Sequence, residues 1–222
     1  MALYLDSALV EEVREGLSWG FITGVTTNPK LIAQAGRQAE AIITELCDLC
    51  SGPVFYQPIA AAPLALEEEG RRFAALSPAQ VVLKITATLA NLAVMARLSR
   101  DFPCAATAVF SAAQAYLAAE AGARYVIPYV NRMTRYSGQG VTLVQEIAGI
   151  LPSTGRRVEL LAASLRDVPE VLACLAAGAQ HLTLPLALIR EMAEHPLSQQ
   201  AIEEFARFTR SASSGTASAS AS

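Results

Sequence analysis

Residues 81–100 read VVLKITATLANLAVMARLSR. The first six, VVLKIT, are rich in β-branched residues and lack polar alternation, the pattern of a strand buried on both faces. The remainder, from about residue 88 to 100, has the periodicity of an amphipathic helix. A strand followed by a helix is the building unit of a parallel sheet, and the unit recurs on either side. Strand candidates are LYLDS (3–7), GVTTN (24–28), PVFYQPI (53–59), VVLKIT (81–86), CAATAVF (104–110), YVIPYV (125–130), VELLAAS (158–164) and HLTLP (181–185). Helical patterns fill 8–19, 30–50, 63–76, 88–100, 111–121, 140–150, 167–177 and 186–194. Eight such pairs in about 210 residues predict an α/β fold, a single-domain (β/α)8 TIM barrel. A doubly wound open sheet would call for a glycine-rich turn after the first strand, where the chain reads LDSALVEE. A further helix is expected over 198–210, outside the barrel count. Residues 1–210 are therefore read as the barrel with its C-terminal helix. The last twelve, SASSGTASASAS (211–222), are read as a disordered tail or an appended remnant, having nothing to bury.

The lysine inside VVLKIT is conspicuous because the chain has 17 basic residues and only Lys30 and Lys84 are lysine. A lysine can lie along apolar neighbours and lift its ammonium into water. An amine held among apolar groups, however, has its charged form disfavoured and attacks a carbonyl as the free base. A guanidinium stays protonated and cannot. A site that forms a Schiff base must use lysine.

The bulk properties narrow the remaining classes. The chain has 222 residues, is 53% hydrophobic and carries a net charge of -3. Its arginines are dispersed and form no basic run, so no nucleic-acid partner is expected. The N-terminus lacks a basic segment followed by an apolar one, and the apolar stretch 103–123 is broken by Thr107, Ser111, Gln114 and Glu120. No membrane contact and a cytoplasmic location are the expectations. Cys47 and Cys50 form a CxxC within a helical pattern, and Cys104 and Cys174 stand alone in apolar surroundings. No second CxxC or nearby histidine completes a zinc site, so reduced structural cysteines, no metal and no cofactor are expected.

Active sites of such barrels lie at the C-terminal ends of the strands. Those ends carry Asp6, Thr27 and Asn28, Gln57, Lys84, Thr107, Tyr129 with Asn131 and Arg132, Ser164 with Arg166, and Thr183. Singly, several have ordinary readings: Asn28 before Pro29 suits a helix start, Ser164 a cap, and Thr107 a bond to neighbouring backbone. Together they line one mouth around a lysine.

These residues fall in LYLDSA, GVTTNPKLIA, VVLKIT, TAVFSAAQA, AGARYVIPYVNR, LAASLR and LTLP. Here, from Met1 to about Arg210, the chain resembles the transaldolase family, most closely its fructose-6-phosphate aldolase-like branch. The resemblance implies a cofactor-free (β/α)8 barrel in which Lys84 forms a Schiff base with a dihydroxyacetone unit. It implies that Tyr129 is the acid/base, with a water held by Gln57 and Asp6. Asn28, Thr27 and Thr107 would then hold donor hydroxyls and water, and Arg132, Ser164 and Arg166 the substrate. The Arg166 loop enters a helix, whose positive dipole end is expected to favour the phosphate as well. The implied reaction is that of a class I aldolase, an aldehyde-lyase making or cleaving fructose 6-phosphate from dihydroxyacetone and glyceraldehyde 3-phosphate. Gln57, Ala105 and Tyr129 follow the aldolase branch, where transaldolases proper tend to have glutamate, asparagine and phenylalanine. Arg166 follows the transaldolase pattern, and the segment after Lys84 lacks the proline and glutamate usual in both. The alternatives are a transaldolase passing dihydroxyacetone between aldose phosphates, and a barrel that binds sugar phosphates without turnover or serves as a ring-forming scaffold. Partners implied are sugar or sugar-phosphate substrates and further copies of the chain, as relatives form rings of five, often doubled.

Overall fold

Short runs of aliphatic and aromatic residues set the frame. In the computed structural model, which describes residues 1–216 and side chains as far as residue 207, these runs form eight strands. They are β1 (Ala2–Asp6), β2 (Gly24–Thr26), β3 (Val54–Tyr56), β4 (Val81–Thr86), β5 (Cys104–Val109), β6 (Tyr125–Pro128), β7 (Glu159–Ala162) and β8 (His181–Leu184). Each pairs in parallel with the next, and β8 returns to β1 to close the barrel. Between them lie α1 (Val10–Ser18), α2 (Pro29–Ala35), α3 (Ala39–Leu49), α4 (Pro63–Ala74), α5 (Leu89–Leu98), α6 (Ala112–Glu120), α7 (Val130–Ser137), α8 (Gly140–Ile150), a 3-10 turn (Leu151–Thr154) and α9 (Val168–Ala176). After β8 come α10 (Leu186–Ala193) and α11 (Pro196–Thr216). This is the expected (β/α)8 barrel. Residues Met1–Leu188 make one compact unit, and the helical residues from Ile189 onward make a second. Of the expected tail, 211–216 continue α11 and 217–222 lie outside the described residues.

Two elements depart from the sequence reading. The helix expected over 30–50 is broken in two, because Gly36 takes φ 65°, a left-handed conformation that ends α2. The strand expected over 125–130 stops at Pro128, and α7 follows directly, carrying Asn131 and Arg132. Val130 is its one buried residue, so the segment VNRMTRYS offers almost no apolar stripe to read. Its close seat on α8 needs Gly140: a Cβ there would collide with Thr134 Oγ1 and with the Val130 carbonyl oxygen.

The barrel interior is layered. Its floor is a buried cluster of Tyr4, Phe55, Val82, Ala105, Tyr125 and Leu161 with their neighbours. Edge-on aromatic contacts knit it, with ring centroids 5.3 Å apart for Tyr4–Phe55 and 5.1 Å for Phe55–Tyr125. Side chains alternate along a strand with a period of two, so the residue two places on stands above each floor residue on the same face. Above Tyr4, Phe55, Val82 and Ala105 stand Asp6, Gln57, Lys84 and Thr107. The apolar floor thus fixes which residues face the mouth.

Candidate active site

Lys84 is deeply set. Only 3% of it is exposed, and Nζ donates to the Thr27 backbone carbonyl at 2.8 Å. Asp6 faces the same space. Burial pushes its carboxyl above the ordinary carboxylate range, opposed by the Lys84 charge and by the Thr26 hydroxyl. Thr26 Oγ1 lies 2.8 Å from Asp6 Oδ1 and 2.5 Å from Thr183 Oγ1. A buried amine, a carboxyl inclined to hold its proton and a hydroxyl relay therefore meet on one wall.

The opposite wall carries Tyr129, whose hydroxyl accepts from Thr107 Oγ1 at 3.2 Å. Its ring is held edge-on by Phe110 at 6.0 Å, and the Arg132 guanidinium lies 4.9 Å from its centroid. Gln57 Oε1 is buried without a hydrogen-bond partner. An acceptor so placed costs free energy until it meets a donor.

Asp6, Asn28, Gln57, Lys84, Tyr129, Arg132, Ser164 and Arg166 all line one cavity of about 540 Å3. Ala108 and Ser164, also in its wall, take φ 53° and 59°, a conformation that is costly for residues other than glycine and recurs where a site dictates the backbone. Another cavity, of about 430 Å3, lies at the N-terminal ends of β7 and β8 and contains none of the predicted residues. Among the described residues no group of three or more His, Cys, Asp or Glu is placed to hold a metal ion. The four cysteines are buried and free.

Two predicted residues are placed differently from the rest. Thr27 is fully buried outside the cavity lining, and its hydroxyl donates to the Phe55 carbonyl at 2.7 Å. Its backbone oxygen, rather than its side chain, meets Lys84. Thr107 is likewise fully buried outside the lining, and its hydroxyl meets the cavity wall through Tyr129. Asn28 has a double place: Oδ1 caps α2 by accepting from Leu31 N at 3.1 Å, and the residue still faces the cavity. The sequence reading missed Thr26, although counting by two from Gly24 puts it on the inward face. It also missed Thr86, Ala108, Lys30 and Gln34 in the cavity wall.

The dipole expectation at Arg166 needs correction. Asp167 caps α9 by accepting from Glu170 N at 2.8 Å, and Glu170 accepts from Arg166 N at 3.0 Å. Arg166 N and Glu170 N are thus already met by carboxylates, which also bring negative charge to this helix start, so an anion there relies mainly on the Arg166 side chain. Glu170 also accepts from Asn131 Nδ2 at 3.3 Å and Thr134 Oγ1 at 3.4 Å, which ties α7 to the loop before α9.

Known proteins resemble this chain in sequence and in fold. The family model described as Transaldolase/Fructose-6-phosphate aldolase matches residues 3–220. A "Probable transaldolase" of Aquifex aeolicus is 38% identical over 206 residues, spanning 92% of this chain and 94% of its own. One of Agathobacter rectalis is 39% identical over 208 residues, spanning 92% and 95%. Among solved structures, an inosine 5' monophosphate dehydrogenase from Legionella pneumophila superposes with a TM-score of 0.59 at 12% identity, over 85% of this chain and 58% of that one. A mandelate oxidase mutant does so with the same score at 14% identity, over 83% and 64%. Those two show the barrel fold alone. With a family model spanning nearly its whole length, the chain belongs to the transaldolase/fructose-6-phosphate aldolase family.

Proposed function

We propose that this cavity is the active site of a Schiff-base enzyme that cleaves and forms fructose 6-phosphate, with dihydroxyacetone and glyceraldehyde 3-phosphate as the other partners. The observation that carries the reading is the buried Lys84 amine beside Asp6, with Gln57 and Tyr129 lining the same cavity. Lys84 Nζ adds to the C2 carbonyl of the ketose, and the carbinolamine loses water to leave an iminium ion. The C3–C4 bond then breaks, its electron pair moving to the iminium nitrogen as an enamine while the C4 hydroxyl proton passes to a base. Glyceraldehyde 3-phosphate leaves, C3 of the enamine is protonated, and water releases dihydroxyacetone and the free lysine. Tyr129, bonded to Thr107, is assigned the C4 proton, directly or through a water held by Gln57 Oε1 and Asp6. Asp6 serves the carbinolamine, and its tendency to keep a proton suits an acid that must help hydroxide leave. Arg166 and Arg132 hold the phosphate, for which a planar guanidinium is well matched.

The transaldolase reading has support of its own, since the relatives described above carry that name. The two differ in the fate of the enamine: an aldolase releases a free ketone, whereas a transaldolase holds the unit until a second aldose phosphate arrives. Neutral Gln57 and the Tyr129 phenol favour the former. Incubation of fructose 6-phosphate with and without erythrose 4-phosphate separates them, with free dihydroxyacetone expected without the acceptor. Release only in its presence makes the transaldolase reading correct. Borohydride reduction in the presence of fructose 6-phosphate is expected to fix the ketose or its dihydroxyacetone unit on Lys84 as a secondary amine, adding the mass of that carbonyl compound less one oxygen. Labelling of Lys30 instead, or no labelling, overturns the Schiff-base assignment.

A further inference from the structure

Lys30, the second of the two lysines, also lines the cavity, with Gln34 beside it on α2. Residues four apart on a helix share a face, so ammonium and amide can be offered to one ligand. Lys30 has no ion-pair or hydrogen-bond partner among the described residues, and the same holds for the guanidinium of Arg166. Outside the cavity, Arg14, Arg37, Arg71, Arg72, Arg97 and Arg156 are matched with carboxylates, while Arg100, Arg135 and Arg157, without such a partner among the described residues, are exposed. The cavity wall thus holds Lys30, Lys84, Arg132 and Arg166 against Asp6 alone, in a chain whose net charge is -3. That excess is more than one phosphate requires.

Its layout follows from the barrel. In a closed ring of eight strands β2 stands opposite β6, and β4 lies two strands from each. Lys30 follows β2, Arg132 follows β6 and Arg166 follows β7, while Lys84 projects from β4. The nucleophile therefore sits between two cationic sides of the mouth, and Asn28, on the Lys30 side, is where the resemblance puts the donor end of the sugar.

We infer that Lys30 is a second phosphate-binding group and that the cavity accepts ketoses phosphorylated at both ends, ketose 1,6-bisphosphates. This rests on the Schiff-base reading for turnover, with the C1 phosphate on Lys30 and the C6 phosphate on Arg166 and Arg132. The bonds made and broken are those given above, and the released ketone keeps the C1 phosphate. Lysine binds phosphate as a point charge, so the contact does not demand the planar fork of arginine.

The test separates binding from chemistry. Calorimetry with the non-reacting hexitol 1,6-bisphosphate and hexitol 6-phosphate is expected to show the bisphosphate bound about ten- to a hundredfold more tightly by the native chain. Lys30→Ala should abolish that advantage and leave hexitol 6-phosphate binding within about twofold, while Lys30→Arg should keep most of it. Equal binding of the two hexitols by the native chain, or an advantage that persists in Lys30→Ala, overturns the inference. Borohydride trapping with fructose 6-phosphate and with the 1,6-bisphosphate forms the second arm. Trapping of the monophosphate but not of the bisphosphate overturns the inference alone. Trapping of neither overturns the Schiff-base reading and the bisphosphate turnover with it, while calorimetry still decides whether Lys30 holds a phosphate.

Discussion

Lys84 shows how far one residue can be read. Its place at the mouth was read from its position toward the C-terminal end of a strand, and the floor residue Val82 two positions earlier explains why it faces inward. Lys84→Arg and Lys84→Met are both expected to abolish turnover while circular dichroism reports an intact barrel, because charge or stem can be imitated and the nucleophilic amine cannot. Residual activity in Lys84→Arg would exclude the mechanism. Tyr129→Phe should lower kcat by about 10² to 10⁴-fold with little change in KM, the usual cost of one acid/base group. A near-normal kcat would move the proton transfer to another group. Arg166→Ala should raise KM for glyceraldehyde 3-phosphate about ten- to a hundredfold and leave unphosphorylated glyceraldehyde nearly unaffected. Equal losses for both acceptors would mean that Arg166 shapes the mouth rather than holding phosphate. What the residue-by-residue reading lost was parity. Thr26 and Thr27 are adjacent and identical, so only a count from a known inward position shows that Thr26 faces Asp6 and Thr27 faces away.

Elements were legible in proportion to their apolar face. The eight strands declared themselves as short apolar runs and most helices by their periodicity, whereas α7, with one buried residue, did not. It nevertheless carries Arg132, which the sequence named as a site residue while placing it just past a strand end rather than on a helix. The sequence also could not reveal that Glu170 joins α7 to the loop of Arg166, since the partners Asn131 and Thr134 lie 39 and 36 residues away. The seat of α7 on α8 depends on the missing Cβ of Gly140. Gly140→Ala is expected to cost about 1 to 3 kcal/mol of stability, the range for overpacking, measured by urea denaturation. Because the strain falls on the helix bearing Arg132, KM for phosphorylated substrates should rise in the same variant. A stable variant with unchanged KM would show that the two helices part without cost.

At the scale of the whole barrel, closure is the decisive event, and its seam is where β1 meets β8. His181 spans it: Nδ1 accepts from Ala2 N at 2.9 Å, and Nε2 lies 2.7 Å from Glu159 Oε2. An accepting Nδ1 requires the neutral ring with its proton on Nε2, donated to Glu159. Burial lowers the His181 pKa below its ordinary 6.5, outweighing the upward pull of Glu159. The folded chain then binds fewer protons here than the unfolded chain. The contribution to stability is complete above about pH 6.5 and is lost as pH falls below that value toward the depressed folded-state pKa. Thermal unfolding should show this as a melting temperature that declines with acidification, and His181→Asn, which keeps an acceptor for Ala2 N, should flatten the slope. An unaltered slope in that variant would assign the effect to other groups. The distribution of lysine across the molecule has a practical consequence of a different kind. Both side-chain amines open into one cavity, Lys30 exposed and Lys84 enclosed. Coupling the protein through lysine to an activated resin would therefore tether it across its own entrance, with the accessible amine consumed first. Carboxylate- or cysteine-directed chemistry would meet quite different ground: acidic groups are spread over the surface, and all four thiols are shut inside.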